Sequence, residues 1–255
     1  MTSCVKEKML DNSVSIGGWL QIPEPRIAKV MASCGFDWLA VDLEHGSFST
    51  DTLPTIFDLI RAEDCLPLAR VAANEAARIA QALDSGAGGV IVPMVNSVED
   101  AEKAVAASLY PPKGRRGIGF SNASCYGKAF PNYFQEWNDS AVVVVQVEHI
   151  DAVGCMAELL AVEGVDGFVV GPYDLSGSMG ITGEFENPKF GAVMEKIVDV
   201  GKKSGKVMGV HVVQPDLAQV RERVREGFTF IAYSIDSVVL WSHFSEAVAS
   251  IRSQA

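Results

Sequence analysis

A single-domain (β/α)8 barrel is the fold class this sequence predicts, and three observations lead there. Eight β-type runs alternate with eight helical patterns over the 255 residues, several of the runs are apolar without alternation, and polar residues collect at the carboxyl ends of the runs. Continuously apolar runs such as VVVVQV, FVVG and VIVPMV are what parallel strands buried on both faces require, whereas a sheet with one wet face alternates. An open doubly wound sheet more often has about six strands, so eight units favour closure.

The elements follow in order. Val14–Gln21 leads to the helical segment Pro25–Cys34, and Trp38–Glu44 to Thr50–Ala62, which Ser49 precedes as a cap. Pro67–Val71 is followed by Glu75–Asp84, ending before Gly86, and Gly88–Val95 by Val98–Leu109, ending before Pro111 and Pro112. Val142–His149 runs into Ile150–Ala161, and Gly167–Asp174 precedes Pro188–Lys203, which Gly205 closes. Lys206–Val213 precedes Pro215–Glu226, closed by Gly227, and Phe228–Asp236 leads into Val238–Ile251. Two connections are longer than the fold needs, Tyr110 to Ser140 and Leu175 to Asn187, and both are expected at the active site as long βα loops.

Composition narrows the function. With 48% apolar residues and a formal charge of −11, the chain is neither disordered nor suited to the phosphate backbone of nucleic acid. Its longest uninterrupted apolar run, Ala141–Val145, is far short of the ~20 residues of a membrane span. The first twelve residues lack the apolar core of a secretory signal, which predicts a cytoplasmic protein. Cys4, Cys34, Cys65, Cys125 and Cys155 are too scattered for CxxC pairs and read as reduced thiols.

Barrel chemistry sits at the carboxyl ends of the strands. There the second run offers Asp42, Glu44 and His45, the third Arg70, the fifth Gln146, Glu148 and His149, and the sixth Asp174. Any one of these is ordinarily a cap or turn residue, but all of them fall at the same end. Glu148 and Asp174, from neighbouring strands, are hard-oxygen ligands able to hold one divalent cation such as Mg²⁺, Mn²⁺ or Co²⁺. Asp42 and His45 read as an acid/base dyad, and Arg70 as a planar fork for a carboxylate or enolate oxygen. Together they read as enolate chemistry. Trp19, Met94 and Phe120 could line a pocket, with core packing as their default explanation.

The segments DWLAVDLEHG (37–46), PLARV (67–71), GAGGVIVPMV (86–95), YPPKGRRGIG (110–119), QVEHIDAV (146–153) and VDGFVVGPYDLSGSMG (165–180) closely resemble the HpcH/HpaI aldolase family, from about Gly18 to Asp236. The resemblance implies a class II aldolase that cleaves a 4-hydroxy-2-oxo acid, of the 2-keto-3-deoxyglucarate or 4-hydroxy-2-oxoheptanedioate kind, to pyruvate and an aldehyde. It implies metal ligands at Glu148 and Asp174, a pyruvate and enolate arginine at Arg70, and the acid/base pair His45 and Asp42. Pyruvate is expected to meet Gln146 and the backbone of the Gly171–Ser176 loop, Gly171, Pro172 and Ser176 among it. A homo-oligomer is expected too, a hexamer with the C-terminal helix of 238–255 exchanged between subunits, in keeping with the apolar Val239, Leu240, Trp241, Phe244 and Val248. One segment departs from the family pattern: Asn122–Gly127 (NASCYG) lacks the arginines that many relatives carry there and that an acidic acceptor would meet.

Other chemistries fit less well. A Schiff-base aldolase needs a lysine inside the barrel, and Lys206 begins its run at the wrong end. The seventh and eighth runs end in HVVQPD and SIDSVV, without the glycine-rich phosphate nest of a phosphosugar isomerase. GRRGIG (114–119) does not directly follow a strand and reads as a turn, and VGKKS (200–204) as a solvated helix end. The runner-up is a related metal-enolate lyase or decarboxylase, acting on a citramalyl or malyl thioester or on oxaloacetate. A barrel retained only for binding would show damage to the constellation.

Overall fold

The computed structural model describes residues 3–254, in the order α1 Ser3–Leu10, β1 Ser15–Leu20, α2 Pro25–Ala32, β2 Trp38–Asp42, α3 Leu53–Arg61, β3 Leu66–Arg70, α4 Ala76–Asp84, β4 Gly89–Val92 and α5 Val98–Ser108. A 3₁₀ turn at Asn122–Gly127 then precedes α6 Phe130–Ser140, β5 Val142–Val147, α7 Ile150–Gly154, α8 Met156–Leu160, β6 Gly167–Val170 and α9 Pro172–Ser178. The chain ends with α10 Pro188–Ser204, β7 Val207–Val212, α11 Leu217–Glu226, β8 Phe230–Ile235 and α12 Asp236–Ser253. All eight strands are parallel and close in sequence order into one barrel, β1 pairing with both β2 and β8. The barrel read from the sequence is the barrel that forms.

Because side chains alternate along a strand, each strand feeds two cores. Outward residues such as Leu39, Val41, Val143, Val145 and Val170 pack with the helices. Inward residues fill the lumen: Trp38, Ala40, Leu68, Ile91, Val144, Val169 and Phe230. Trp38 stacks flat on Phe230 with ring centroids 4.0 Å apart. Gly17 makes room for this pair, since a Cβ there would lie 2.0 Å from the Trp38 ring.

The helix α1 is an element that the sequence pattern does not mark. Val5 and Met9 of α1 join the lumen core from below, while Lys6 reaches Asp166 at 2.6 Å and Lys8 reaches Asp37 at 2.5 Å. An eight-residue helix with so weak an apolar stripe gives little periodic signal, and packing against the barrel floor supplies its stability.

The Tyr110–Ser140 connection corrects an expectation. It follows α5 and precedes β5, so it is an αβ connection at the amino end of the barrel, away from the strand ends that carry the chemistry. Asn122 donates to the carbonyl of Ser85 below α4, and the buried Arg116 pairs with Asp84 at 2.6 Å under the rings of Tyr110 and Trp137. GRRGIG is therefore a structural turn. The departing segment Asn122–Gly127, with Cys125 and Tyr126 at φ of 49° and 54°, lies on that same amino side. Within this chain it does not adjoin the strand ends where an acceptor would react. The Leu175–Asn187 connection does lie at the carboxyl end, and its first part is the last turn of α9. Among the described residues no helix is long and apolar enough to cross a membrane.

Candidate active site

The second and third strands meet in a buried ion pair. Asp42 and Arg70 are register partners across β2 and β3. Arg70 donates from Nε to Asp42 Oδ1 at 2.9 Å and from Nη2 to Oδ2 at 2.6 Å, a two-pronged contact. Gln21 donates to the same carboxylate at 2.8 Å, and the backbone N–H groups of Glu44 and His45 cap it at 3.1 Å each. Burial works to raise the Asp42 pKa, but the hydrogen bonds and charge of Arg70 with those of Gln21 and His45 N–H outweigh it and hold the carboxyl below its ordinary value.

The Asp42–His45 dyad expected from the sequence is not a side-chain pair. Asp42 is spent on Arg70 and on the turn, and it meets His45 only through the backbone N–H. A guanidinium directly across the ladder offers two charge-assisted bonds, while the His45 imidazole sits past the turn on the exposed rim. Gly46 lets the chain turn there, since a Cβ would come 2.3 Å from the Asp42 carbonyl.

On the facing wall Gln146 is the next-to-last residue of β5 and Glu148 lies just past its end. Glu148 Oε1 accepts from the backbone N–H of Met94 at 2.6 Å, and its Oε2 from Gln146 Nε2. Burial, the nearby Glu44 and Asp174 charges and only partial relief from Met94 N–H and Arg70 push the Glu148 pKa up to about 7. Burial also raises that of Glu44, whose Oε2 lies 3.2 Å from Arg70 Nη1. The sequence pattern marks Glu44 only as a polar strand end; its place beside Arg70 comes from the turn after β2. Of the three residues whose default reading is core packing, Trp19 is 2% exposed, whereas Met94 and Phe120 are 50% and 72% exposed.

Asp174 belongs to the first turn of α9 and not to the sixth strand, which stops at Val170; it reaches the same end of the barrel from an exposed position. Gly171 is needed where it stands, because a Cβ would lie 2.9 Å from Gln146 Nε2 and 3.1 Å from Glu148 Cβ. The expected backbone contacts narrow: Gly171 N–H is bonded to Val147 O, Pro172 has no N–H, and Leu175 N–H is bonded to Gly171 O. The Ser176 hydroxyl donates to Tyr173 O at 2.8 Å and accepts from Gly183 N–H at 3.0 Å, holding the loop. The N–H groups of Tyr173 and Asp174, in the first turn of α9, have no intrahelical acceptor.

Among the described residues no three His, Cys, Asp or Glu side chains surround one point. The donors that are present fit a hard cation all the same. Gln146 Oε1 is buried without a partner, and the Glu148 and Asp174 carboxylates repel one another. A cation of the magnesium type takes one or two carboxylates and leaves its other positions to water and substrate.

A family model described as HpcH/HpaI aldolase/citrate lyase matches residues 15–242. The chain belongs to that family. It is accordingly a carbon–carbon lyase. The chain is 34% identical over 252 residues to a 4-hydroxy-2-oxo-heptane-1,7-dioate aldolase of Salmonella heidelberg, covering 98% of this chain and 94% of that protein. It is also 34% identical over 252 residues to the enzyme of that name from Escherichia coli (strain ATCC 8739), with 98% and 95% covered. Among solved structures, a HpcH/HpaI aldolase/citrate lyase family protein from Burkholderia cenocepacia J2315 superposes with a TM-score of 0.92 at 30% identity, covering 97% of this chain and 98% of that one.

Proposed function

We propose that this family member is a metal-dependent aldolase that reversibly cleaves a 4-hydroxy-2-oxo acid to pyruvate and an aldehyde. The observation that carries the reading is the pairing, at one barrel mouth, of an anion-holding guanidinium with an oxygen-only donor set. Glu148 and Asp174, with Gln146 Oε1 beside them, would hold the cation. A divalent ion bound there, Mg²⁺, Mn²⁺ or Co²⁺, supplies a Lewis acid for the oxygens of the 2-oxo acid.

Arg70, with its Nε and Nη2 edge fixed by Asp42 and its Nη1 beside Glu44, offers the substrate the N–H groups that Asp42 does not take and offsets the negative charge that develops as the carbon–carbon bond breaks. Asp42 acts by positioning Arg70. The His45 imidazole on the rim takes the 4-hydroxyl proton in cleavage and returns it in addition. The amides of Tyr173 and Asp174 meet the carboxylate. The names of the 34%-identical relatives support this substrate class. Lys206 lies at the amino end of β7 with Nζ bonded to Val165 O, which leaves imine chemistry without a candidate there.

The working unit in this proposal is a cytoplasmic homo-oligomer, a hexamer with α12 exchanged. In support, α12 buries only Asp236, while Trp241, Phe244 and Ile251 are 70%, 62% and 67% exposed. Analytical ultracentrifugation of the wild type and of Trp241→Glu tests this, a wild-type monomer being the adverse result.

For the reaction, the test is pyruvate with a panel of aldehydes. Chelator should remove the activity and Mg²⁺, Mn²⁺ or Co²⁺ restore it, and borohydride with pyruvate should leave no adduct. Full activity in excess chelator, or a pyruvate adduct on lysine, would overturn the reading.

A further inference from the structure

His211 takes no part in the steps above, yet it is the last inward side chain of β7, in the layer of the lumen that carries the chemistry. Its ring stacks on Trp19, with centroids 4.7 Å apart and planes inclined by 17°. The same indole carries the Arg70 guanidinium, whose Cζ lies 5.2 Å from the Trp19 ring centroid. β3 and β7 stand opposite one another in an eight-stranded barrel, so the indole, rising from β1, bridges the lumen between them. Trp19 is 2% exposed, and its Nε1–H has no acceptor among the described residues. Packing, not hydrogen bonding, sets the angle of that ring.

The far side of His211 is fixed from β8. Its Nε2 lies 3.3 Å from the carbonyl oxygen of Ser234. A carbonyl only accepts, so Nε2 carries the proton and Nδ1 the lone pair. Ser234 has φ of 55°, where the pairing of β8 with β1 slips between Gly17 and Trp19. A bulge of this kind re-aims the backbone, here bringing a carbonyl within reach of β7. Burial lowers the imidazole pKa to about 4, the Ser234 carbonyl and Asp42 opposing and Arg70 reinforcing the shift, so the ring is neutral near pH 7. A neutral ring can lie on the indole without setting a second cation against Arg70.

We propose that His211 is a positioning residue: held by the Ser234 carbonyl, it fixes the angle of Trp19, and through that indole it sets where Arg70 presents the N–H groups not taken by Asp42 to the carboxylate of a 2-oxo acid. This rests on the reading of Arg70 as the 2-oxo acid anchor. The arrangement is a relay of two aromatic contacts between opposite strands. Asp42 fixes one edge of the guanidinium, and the indole supports its face.

The experiment is calorimetric titration of pyruvate into the Mn²⁺-loaded protein, with Mn²⁺ titrated separately into the metal-free protein. His211→Ala should weaken pyruvate binding about three- to tenfold, the range an aromatic pair commands, with Mn²⁺ affinity unchanged. His211→Gln keeps an N–H for Ser234 but loses the stack, and should weaken pyruvate as His211→Ala does. His211→Phe keeps the stack and should bind pyruvate within about twofold of wild type. Wild-type pyruvate affinity in both His211→Ala and His211→Gln, or an equal loss in His211→Phe, would overturn the relay while leaving the role of Arg70 standing. Absence of pyruvate binding to the wild type, or unchanged binding in Arg70→Ala, would overturn the anchor reading and the relay with it.

Discussion

The two ends of the barrel lumen are built on one plan and put to opposite uses. Each holds a tryptophan whose indole N–H lacks a partner among the described residues, and each tryptophan is stacked on a ring from the next strand but one. At the amino end Trp38 lies on Phe230, with Leu66, Leu68 and the α1 residues Val5 and Met9 around it. At the carboxyl end Trp19 lies on His211 and supports Arg70, and the next inward positions are Asp42, Gln146 and Glu148. Two residues along a strand, one inward step, separate Ala40 from Asp42, Leu68 from Arg70 and Val144 from Gln146. The lower layer stabilises the fold by apolar burial, and the upper layer holds charge that apolar burial alone would penalise.

Substitutions at the two ends should therefore fail in different ways. The largest effect belongs to the carboxyl end: Glu148→Ala should abolish Mn²⁺ binding and aldolase activity while the protein stays folded, as calorimetry beside circular dichroism would register. Retained Mn²⁺ binding would mean that the cation is held elsewhere. At the amino end, Trp38→Ala should cost about 3–5 kcal/mol of stability by opening a cavity under Phe230, measured by denaturant unfolding. A loss under 1 kcal/mol would show the floor to be less tightly packed than the stack implies.

His45 sharpens the comparison within the carboxyl end. His45→Ala should slow aldol cleavage about 10²–10⁴-fold and decarboxylation of oxaloacetate far less, since only cleavage removes a 4-hydroxyl proton. Equal losses in the two assays would remove the imidazole from that step.

The smallest effect is the pH response of Glu148. Its carboxyl titrates at about 7 in the metal-free fold against an ordinary 4.5, so the fold favours the protonated form. The stability this provides is fully present below 4.5 and is lost as pH rises through about 7. Metal-free protein should thus lose melting temperature between about pH 5 and about pH 8, Glu148→Gln should lose less, and Mn²⁺ affinity should rise over the same window. A parallel decline in both proteins would assign the effect to other groups.

Much of this was legible in the sequence. The continuous apolar runs gave parallel strands, their number gave closure, and Arg70, Gln146 and Glu148 stood out as polar breaks at the ends of apolar runs. Strand limits moved by a few residues, most at Asp174, because GPYD after FVV continues as readily into a proline-started helix as into more strand. The length of the Tyr110–Ser140 connection points to the active site, but its place between α5 and β5 puts it at the amino end, because topology and not length decides which face a loop occupies.

What the sequence by itself determined was the set of strands, their order and the chemistry offered at their carboxyl ends, because periodicity, turn residues and polar interruptions are local signals. Tertiary structure decided the partners. Asp42 pairs with Arg70 and not with the imidazole three residues away, since register across two strands brings the guanidinium closer than the turn brings His45. Likewise α1 closes the floor, and His211, Trp19 and Arg70 meet across the lumen from three separate strands. Such meetings depend on strand stagger and on the closing of the sheet, which no short window of sequence carries.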